Sequence, residues 1–157
     1  MLRSGESQMG VSMFKNILVP VDIAEVEISK HAIERAVAFA NNSGGSVRLI
    51  YVRSILPVTF MEFVPPDFDS EQQADCEKKL AEVAATVPLP KDRVSSVVHM
   101  GSVYNEVLEE ADRMKADLIV VGSHRPAMST YLLGSNASTI VRHATCSVLV
   151  VRENGDT

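Results

Sequence analysis

Apolar residues along this chain alternate between two rhythms. Continuous apolar blocks read as buried strands. They fall at Phe14–Val21, where Ile17, Leu18 and Val19 run into Pro20, then at Ser46–Val52, Val94–Met100, Asp117–Val121 and Ser147–Val151. Between the blocks, apolar positions recur every three or four residues, which marks one face of a helix. Val26, Ile28, Ala32, Ile33, Ala36, Val37 and Ala40 form the first stripe, stopped by Asn41-Asn42-Ser43-Gly44-Gly45. Cys76, Leu80, Val83, Ala84 and Val87 form the second, closed by Pro88 and Pro90. Ser70, with Gln73 three residues on, is its expected N-cap. Val103, Val107, Leu108, Ala111 and Met114 form the third, and Ser135–Ala144 reads as a short fourth helix. Residues 53–69 have no period and carry Pro57, Pro65 and Pro66, so they read as a long loop, either a lid or a mobile segment.

Alternating strands and helices, with strands that are unbroken Val/Ile/Leu runs, predict an α/β fold. Its parallel sheet is covered by helices on both faces. Right-handed crossovers leave few ways to connect it. No internal repeat or heptad interrupts the pattern.

Composition narrows the function classes. At 157 residues the chain fits one ordinary domain that can bury a core without metals or disulfides. A formal net charge of -5 argues against a nucleic-acid binder, which usually carries a basic stripe. Cys76 and Cys146 have no neighbours at zinc-ligand spacing. Two lone thiols and no secretory signal suggest a reducing, cytoplasmic setting. No apolar run approaches the roughly 20 residues that span a bilayer, so no membrane partner is expected. Met1–Ser12 is polar and Gly/Ser-rich, which predicts a disordered leader ahead of a domain at 13–153.

In parallel α/β sheets, ligands bind beyond the carboxyl ends of the strands, where the strand order reverses. The residues that follow the strands are therefore the candidates: Pro20, Val21 and Asp22, then Val52, then Gly122, Ser123, His124 and Arg125. Gly122 lacks a Cβ, so backbone there can approach a ligand. Gly134, Ser135 and Asn136 open a helix, whose free N–H groups and dipole suit a phosphate. His124 and Arg125 add positive charge. A plain turn and cap at Gly134-Ser135 explains the same residues equally well. The stretch contains neither a Walker A motif nor GxGxxG. Asp22 can accept hydrogen bonds from a ribose or an adenine amino group, or it can position the following helix. Val52 can offer its backbone to a base edge, or be a core valine. His31 and His143 are expected on the surface. His99 has no acidic or cysteine partner at a fixed spacing, and no GxSxG elbow occurs.

Two segments carry a resemblance. Asn16-Ile-Leu-Val-Pro-Val-Asp22 is similar to the first strand of the universal stress protein family. VVGSHRPAMSTYLLGSNASTIVRHATCSVLVVR resembles that family's nucleotide loop, last helix and last strand. The resemblance is strong at both ends of the chain and weak over residues 53–91. It implies a doubly wound, Rossmann-like sheet of five parallel strands, of the adenine nucleotide alpha hydrolase-like kind. It also implies ATP or AMP as ligand, with or without Mg2+. By the same resemblance Asp22 contacts the adenosine, and Pro20 and Val52 line the adenine pocket. Gly122, Gly134 and Ser135 then hold ribose and phosphates. The family pattern has a second glycine three positions after the first; here Arg125 stands in that place, and eight residues separate it from Gly134. An arginine there either blocks close approach or pairs with a phosphate through its fork of donors.

The resemblance further implies a homodimer through the last strands, with higher assembly open. Ser147–Val151 agrees physically, since it has no Pro or Lys to protect an edge. The function expected is a nucleotide-binding stress-response regulator. The alternatives are a slow ATPase or self-phosphorylating protein, for which His124 is the candidate base, and a nucleotide-free interaction module in which Arg125 fills the pocket.

Overall fold

A computed structural model describes residues 13–123 and 134–152. In chain order these form β1 (Asn16–Pro20), α1 (Val26–Ser43), β2 (Ser46–Arg53), a 3-10 turn (Val58–Phe63), α2 (Phe68–Ala85), a second 3-10 turn (Lys91–Arg93), β3 (Val94–Met100), α3 (Val103–Met114), β4 (Leu118–Gly122), α4 (Ser135–His143) and β5 (Ser147–Val151). All strand pairs are parallel, in the order β3-β2-β1-β4-β5. The doubly wound, five-stranded sheet anticipated from the sequence is therefore present.

Alternation along each strand divides the core. Ile17 and Val19 point to one face with α1 and α2, while Leu18 points to the other with α3 and α4. Leu118 and Val120 repeat the division against Ile119 and Val121. Ile17, Leu18 and Val19 are all fully buried, as a central strand covered on both faces requires. That is why β1 reads as an unbroken apolar block and not as an alternating one.

The helix stop after α1 is as expected. Gly44 adopts a left-handed conformation (φ 75°), and its N–H donates to the Ala40 carbonyl. Gly45 is needed for a different reason. A Cβ there would lie 2.6 Å from both Cα and the carbonyl oxygen of Lys15, where the chain enters β1. Asp117 ties down the same entry: its two carboxylate oxygens accept the N–H groups of Lys15 (2.8 Å) and Asn16 (2.9 Å).

Two expectations need correction. Ser70 is not an N-cap: α2 begins at Phe68, and the Ser70 hydroxyl donates to the Asp67 carbonyl from within the first turn. Buried Arg53, at the end of β2, binds Asp69 (2.9 Å) and Gln73 (2.8 Å) and so fixes that turn earlier than the capping pattern suggested. Residues 53–69 are also not a featureless loop, since they contain the Val58–Phe63 3-10 turn.

Candidate functional site

The chain adds strands outward from β1 to β2 and β3, then crosses to β4 on the other side of β1. The strand order thus reverses between β1 and β4, and the crevice expected in such folds lies at their carboxyl ends. Pro20, Val21 and Asp22 leave β1 into it, and Gly122 and Ser123 leave β4.

Asp22 begins the link to α1. Its Oδ1 accepts the N–H of Ala24 (3.0 Å), its carbonyl accepts the N–H of Glu25 (3.1 Å), and its own N–H donates to the Ser29 hydroxyl (3.3 Å). One carboxylate oxygen therefore shapes the turn, as the helix-positioning reading of Asp22 requires. Among the described residues the other takes no hydrogen bond.

Val52 divides its roles between side chain and backbone. Its side chain is buried with α3 and α4. The β1–β2 ladder ends where the Val21 N–H donates to the Ile50 carbonyl (2.8 Å). Backbone groups two residues apart on a strand point the same way. Val52 therefore directs its N–H and C=O past the end of β1, over Val21 and Asp22. Arg53, one residue on, points the other way and accepts the Gly101 N–H (2.9 Å).

Ser123 links the far side of the crevice. It is almost fully buried; its N–H donates to the Val151 carbonyl (3.0 Å), and its carbonyl accepts the Gly134 N–H (3.2 Å). These bonds bring the end of β4, the end of β5 and the start of α4 together. Gly134 is the N-cap of α4 and has no side chain to cap it; the helix then opens with exposed Ser135 and Asn136. His124 and Arg125 lie outside the described residues.

Among the described residues, packing requires neither glycine: a Cβ on Gly134 would meet none of them within 4 Å, and one on Gly122 would meet only the Ile28 carbonyl at 3.8 Å, an ordinary contact. Neither has a positive φ. Gly45, which the fold does require, shows what the opposite case looks like.

Sequence reading missed two groups. Tyr51 precedes Val52 and faces the α1/α2 side. Burial raises its phenol above the ordinary tyrosine range, and the fields of Cys76 and Asp22 push the same way. Strand alternation at the end of β2 was the available signal. On the same side of the sheet, a shallow groove of about 290 Å³ runs between Ile23 and Val26 of the α1 entry and Lys79, Glu82 and Val83 of α2, with Thr86 at that helix's C-cap. The second missed group is Glu110, buried on α3. It accepts from His99 (2.9 Å) and Arg48 (2.6 Å), and it also pairs with Arg113. His99 therefore does have an acidic partner, brought to it by the β3–α3 packing. His31 and His143 are exposed, as expected.

Among the described residues no group of three or more His, Cys, Asp or Glu could hold a metal, and no helix is long and apolar enough to cross a membrane.

Comparison with known proteins places this geometry. The model of the universal stress protein family matches residues 13–152. Universal stress protein G of Escherichia coli O157:H7 is 36% identical over 146 residues, covering 89% of this chain and 100% of that protein. Universal stress protein A homolog 1 of Coxiella burnetii is 34% identical over 142 residues, covering 88% and 96%. Among solved structures, hypothetical protein MJ0577 superposes with a TM-score of 0.75 at 22% identity, covering 92% of this chain and 99% of that one. A universal stress protein in complex with cAMP superposes with a TM-score of 0.62 at 20% identity, covering 89% and 98%.

Proposed function

Since this chain belongs to the universal stress protein family, we propose that it binds an adenine nucleotide, ATP or AMP, in the β1/β4 crevice and acts as a stress-response regulator. The observation that carries the reading is the pair Gly122 and Gly134. Both stand at the switch point, and both leave room that the described residues do not fill. Glycines that packing does not require suit the close approach of a ligand.

The rest of the crevice fits the parts of a nucleotide. Pro20, Val21 and the Val52 backbone would border the adenine, with Val52 offering one donor and one acceptor to a base edge. The Asp22 oxygen left over from the turn would accept from the adenosine. The start of α4, with Ser135 and Asn136, would hold phosphates through N–H groups and the helix dipole. Ser123, His124 and Arg125 would complete that side. Mg2+ would arrive with the phosphates. The neighbouring fold that holds cAMP supports a nucleotide of the adenine class.

The same reading makes the protein a homodimer. Among the described residues β5 is an edge of the sheet and pairs only with β4, and it carries neither Pro nor Lys. Such an edge favours pairing with a second copy.

The test begins with protein purified without added nucleotide, heat-denatured, and its released small molecules weighed by mass spectrometry. Near-stoichiometric ATP, ADP or AMP is expected. If none is released, and calorimetric titration finds no affinity for ATP or AMP below the millimolar range, the proposal fails.

A further inference from the structure

Six large apolar side chains stand in solvent within residues 55–63, just past the carboxyl end of β2. They are Ile55, Leu56, Val58, Phe60, Met61 and Phe63, with Val58 and Phe63 each 81% exposed. Scattered exposed apolar residues are normal on a soluble protein, but a contiguous group marks an interaction site. The other exposed large apolar residues among those described, Met13, Met100, Tyr104 and Val141, lie on other segments of the chain.

The 3-10 turn arranges this group. With three residues per turn, positions i and i+3 lie on one edge. Phe60 and Phe63 share one edge, Val58 and Met61 the next, and Thr59 and Glu62 the third. The segment is therefore a ridge, apolar on two edges out of three and acidic on the last. Exposed aromatic side chains on a raised element are the usual anchors of a protein interface.

Charge selects the partner. Between Arg53 and Lys78 the chain carries Glu62, Asp67, Asp69, Glu71, Asp75 and Glu77 and not one Lys or Arg. Arg53 pairs with Asp69 and Lys79 with Asp75, so Glu62, Asp67, Glu71 and Glu77 set the sign of the surface around the ridge. A second copy would bring these carboxylates against themselves, and an anionic bilayer would meet the same repulsion. We propose that the Val58–Phe63 ridge docks a basic, amphipathic segment of another protein. The partner's apolar face would cover Phe60 and Phe63, and its Lys or Arg residues would border Glu62 and Asp67. This surface does not depend on the crevice being a nucleotide site.

The full-length protein tests it by fluorescence anisotropy with a labelled 18-residue helical peptide of leucine and lysine, its leucines on one face. A leucine/glutamate peptide of the same pattern is the control. The lysine peptide is expected to bind, and the glutamate peptide at least tenfold more weakly. The double variant Phe60→Ser/Phe63→Ser keeps the net charge and alters only exposed side chains; it should lose at least tenfold in affinity for the lysine peptide. Glu62→Lys keeps the apolar edges and should weaken binding as well. Equal binding of the lysine peptide to the double variant would mean bulk charge attraction and would overturn the proposal. So would equal binding of the two peptides, patch-dependent self-association of the wild type in sedimentation, or patch-dependent binding to phosphatidylglycerol vesicles.

Discussion

His99 Nε2 lies 2.9 Å from Glu110 Oε1, joining the outer strand of the sheet to the one buried carboxylate of α3. Arg48 on β2 reaches the other oxygen at 2.6 Å while its Nε donates to Ser95, and Arg113 pairs with Glu110 from one turn along α3. Burial alone would raise the Glu110 carboxyl, but hydrogen bonds from His99, Arg48 and Arg113 together outweigh it. They hold the group below the ordinary glutamate range. A carboxyl depressed on folding contributes stability at pH values above its unfolded pKa, and that stability is lost as pH falls through the folded value. Glu110→Gln is expected to cost about 1–3 kcal/mol at neutral pH, by leaving a charge-assisted network half made. Urea unfolding at pH 7, 4.5 and 3 checks this. The gap between wild type and variant should narrow as the carboxyl is protonated. A gap that stays constant across that range would mean that the shape of the side chain matters and its charge does not.

The three glycines of unlike role predict a reversal of rank between stability and binding. Gly45→Ala should destabilise by about 1–3 kcal/mol or more, since a Cβ 2.6 Å from Lys15 backbone forces the entry to β1 to move. Among the described residues, Gly122→Ala and Gly134→Ala place their methyl groups in open or ordinary space, so their stability should stay within about 0.5 kcal/mol of wild type. If the crevice takes a nucleotide, these two substitutions should weaken ATP affinity tenfold or more. Thermal melts and calorimetric titration on the same three samples give both rankings. Wild-type affinity in both Gly122→Ala and Gly134→Ala would remove the glycines from the site.

Much of this was legible from residue order alone, and the reason is local. A strand covered on both faces must be apolar throughout, so Ile17–Val19 and Leu118–Val121 announce themselves. Gly44-Gly45 and the α1 stripe depend on neighbours in sequence. What stayed hidden depends on contacts distant in sequence. His99 and Glu110 are eleven positions apart on different elements, and Arg48 is sixty-two from Glu110. The N-terminus of α2 was misplaced because Arg53 fixes it from β2, which no capping pattern records. Of the crevice, the sequence marked the strand ends but not the direction of the Val52 backbone. That direction follows from where the β1–β2 ladder stops.

Asp22 can be separated into its two roles. Asn at this position keeps an oxygen for the Ala24 N–H, whereas Ala removes it. Asp22→Asn should therefore melt near wild type, and Asp22→Ala should lose about 0.5–1.5 kcal/mol with that hydrogen bond. Both should weaken nucleotide binding if the carboxylate accepts from the adenosine. A titration in which Asp22→Ala binds ATP as tightly as wild type would leave Asp22 with the turn alone.

The edge of β5 offers a test in which backbone direction chooses the residue. The Val151 carbonyl accepts from Ser123, so Val151 points its backbone towards β4, and Leu149, two residues earlier, does the same. Val148 and Val150 therefore direct their N–H and C=O outward, to whatever pairs with the edge. Proline has no N–H to give. Val150→Pro removes an outward donor and leaves every β4–β5 hydrogen bond its partners, so it should convert a dimer to a monomer with only a modest loss of thermal stability. Leu149→Pro removes an inward donor and should instead lower the melting temperature sharply. Sedimentation velocity reads the first effect and calorimetry the second. If Val150→Pro remains dimeric while folded, the two copies do not meet through main-chain pairing of β5.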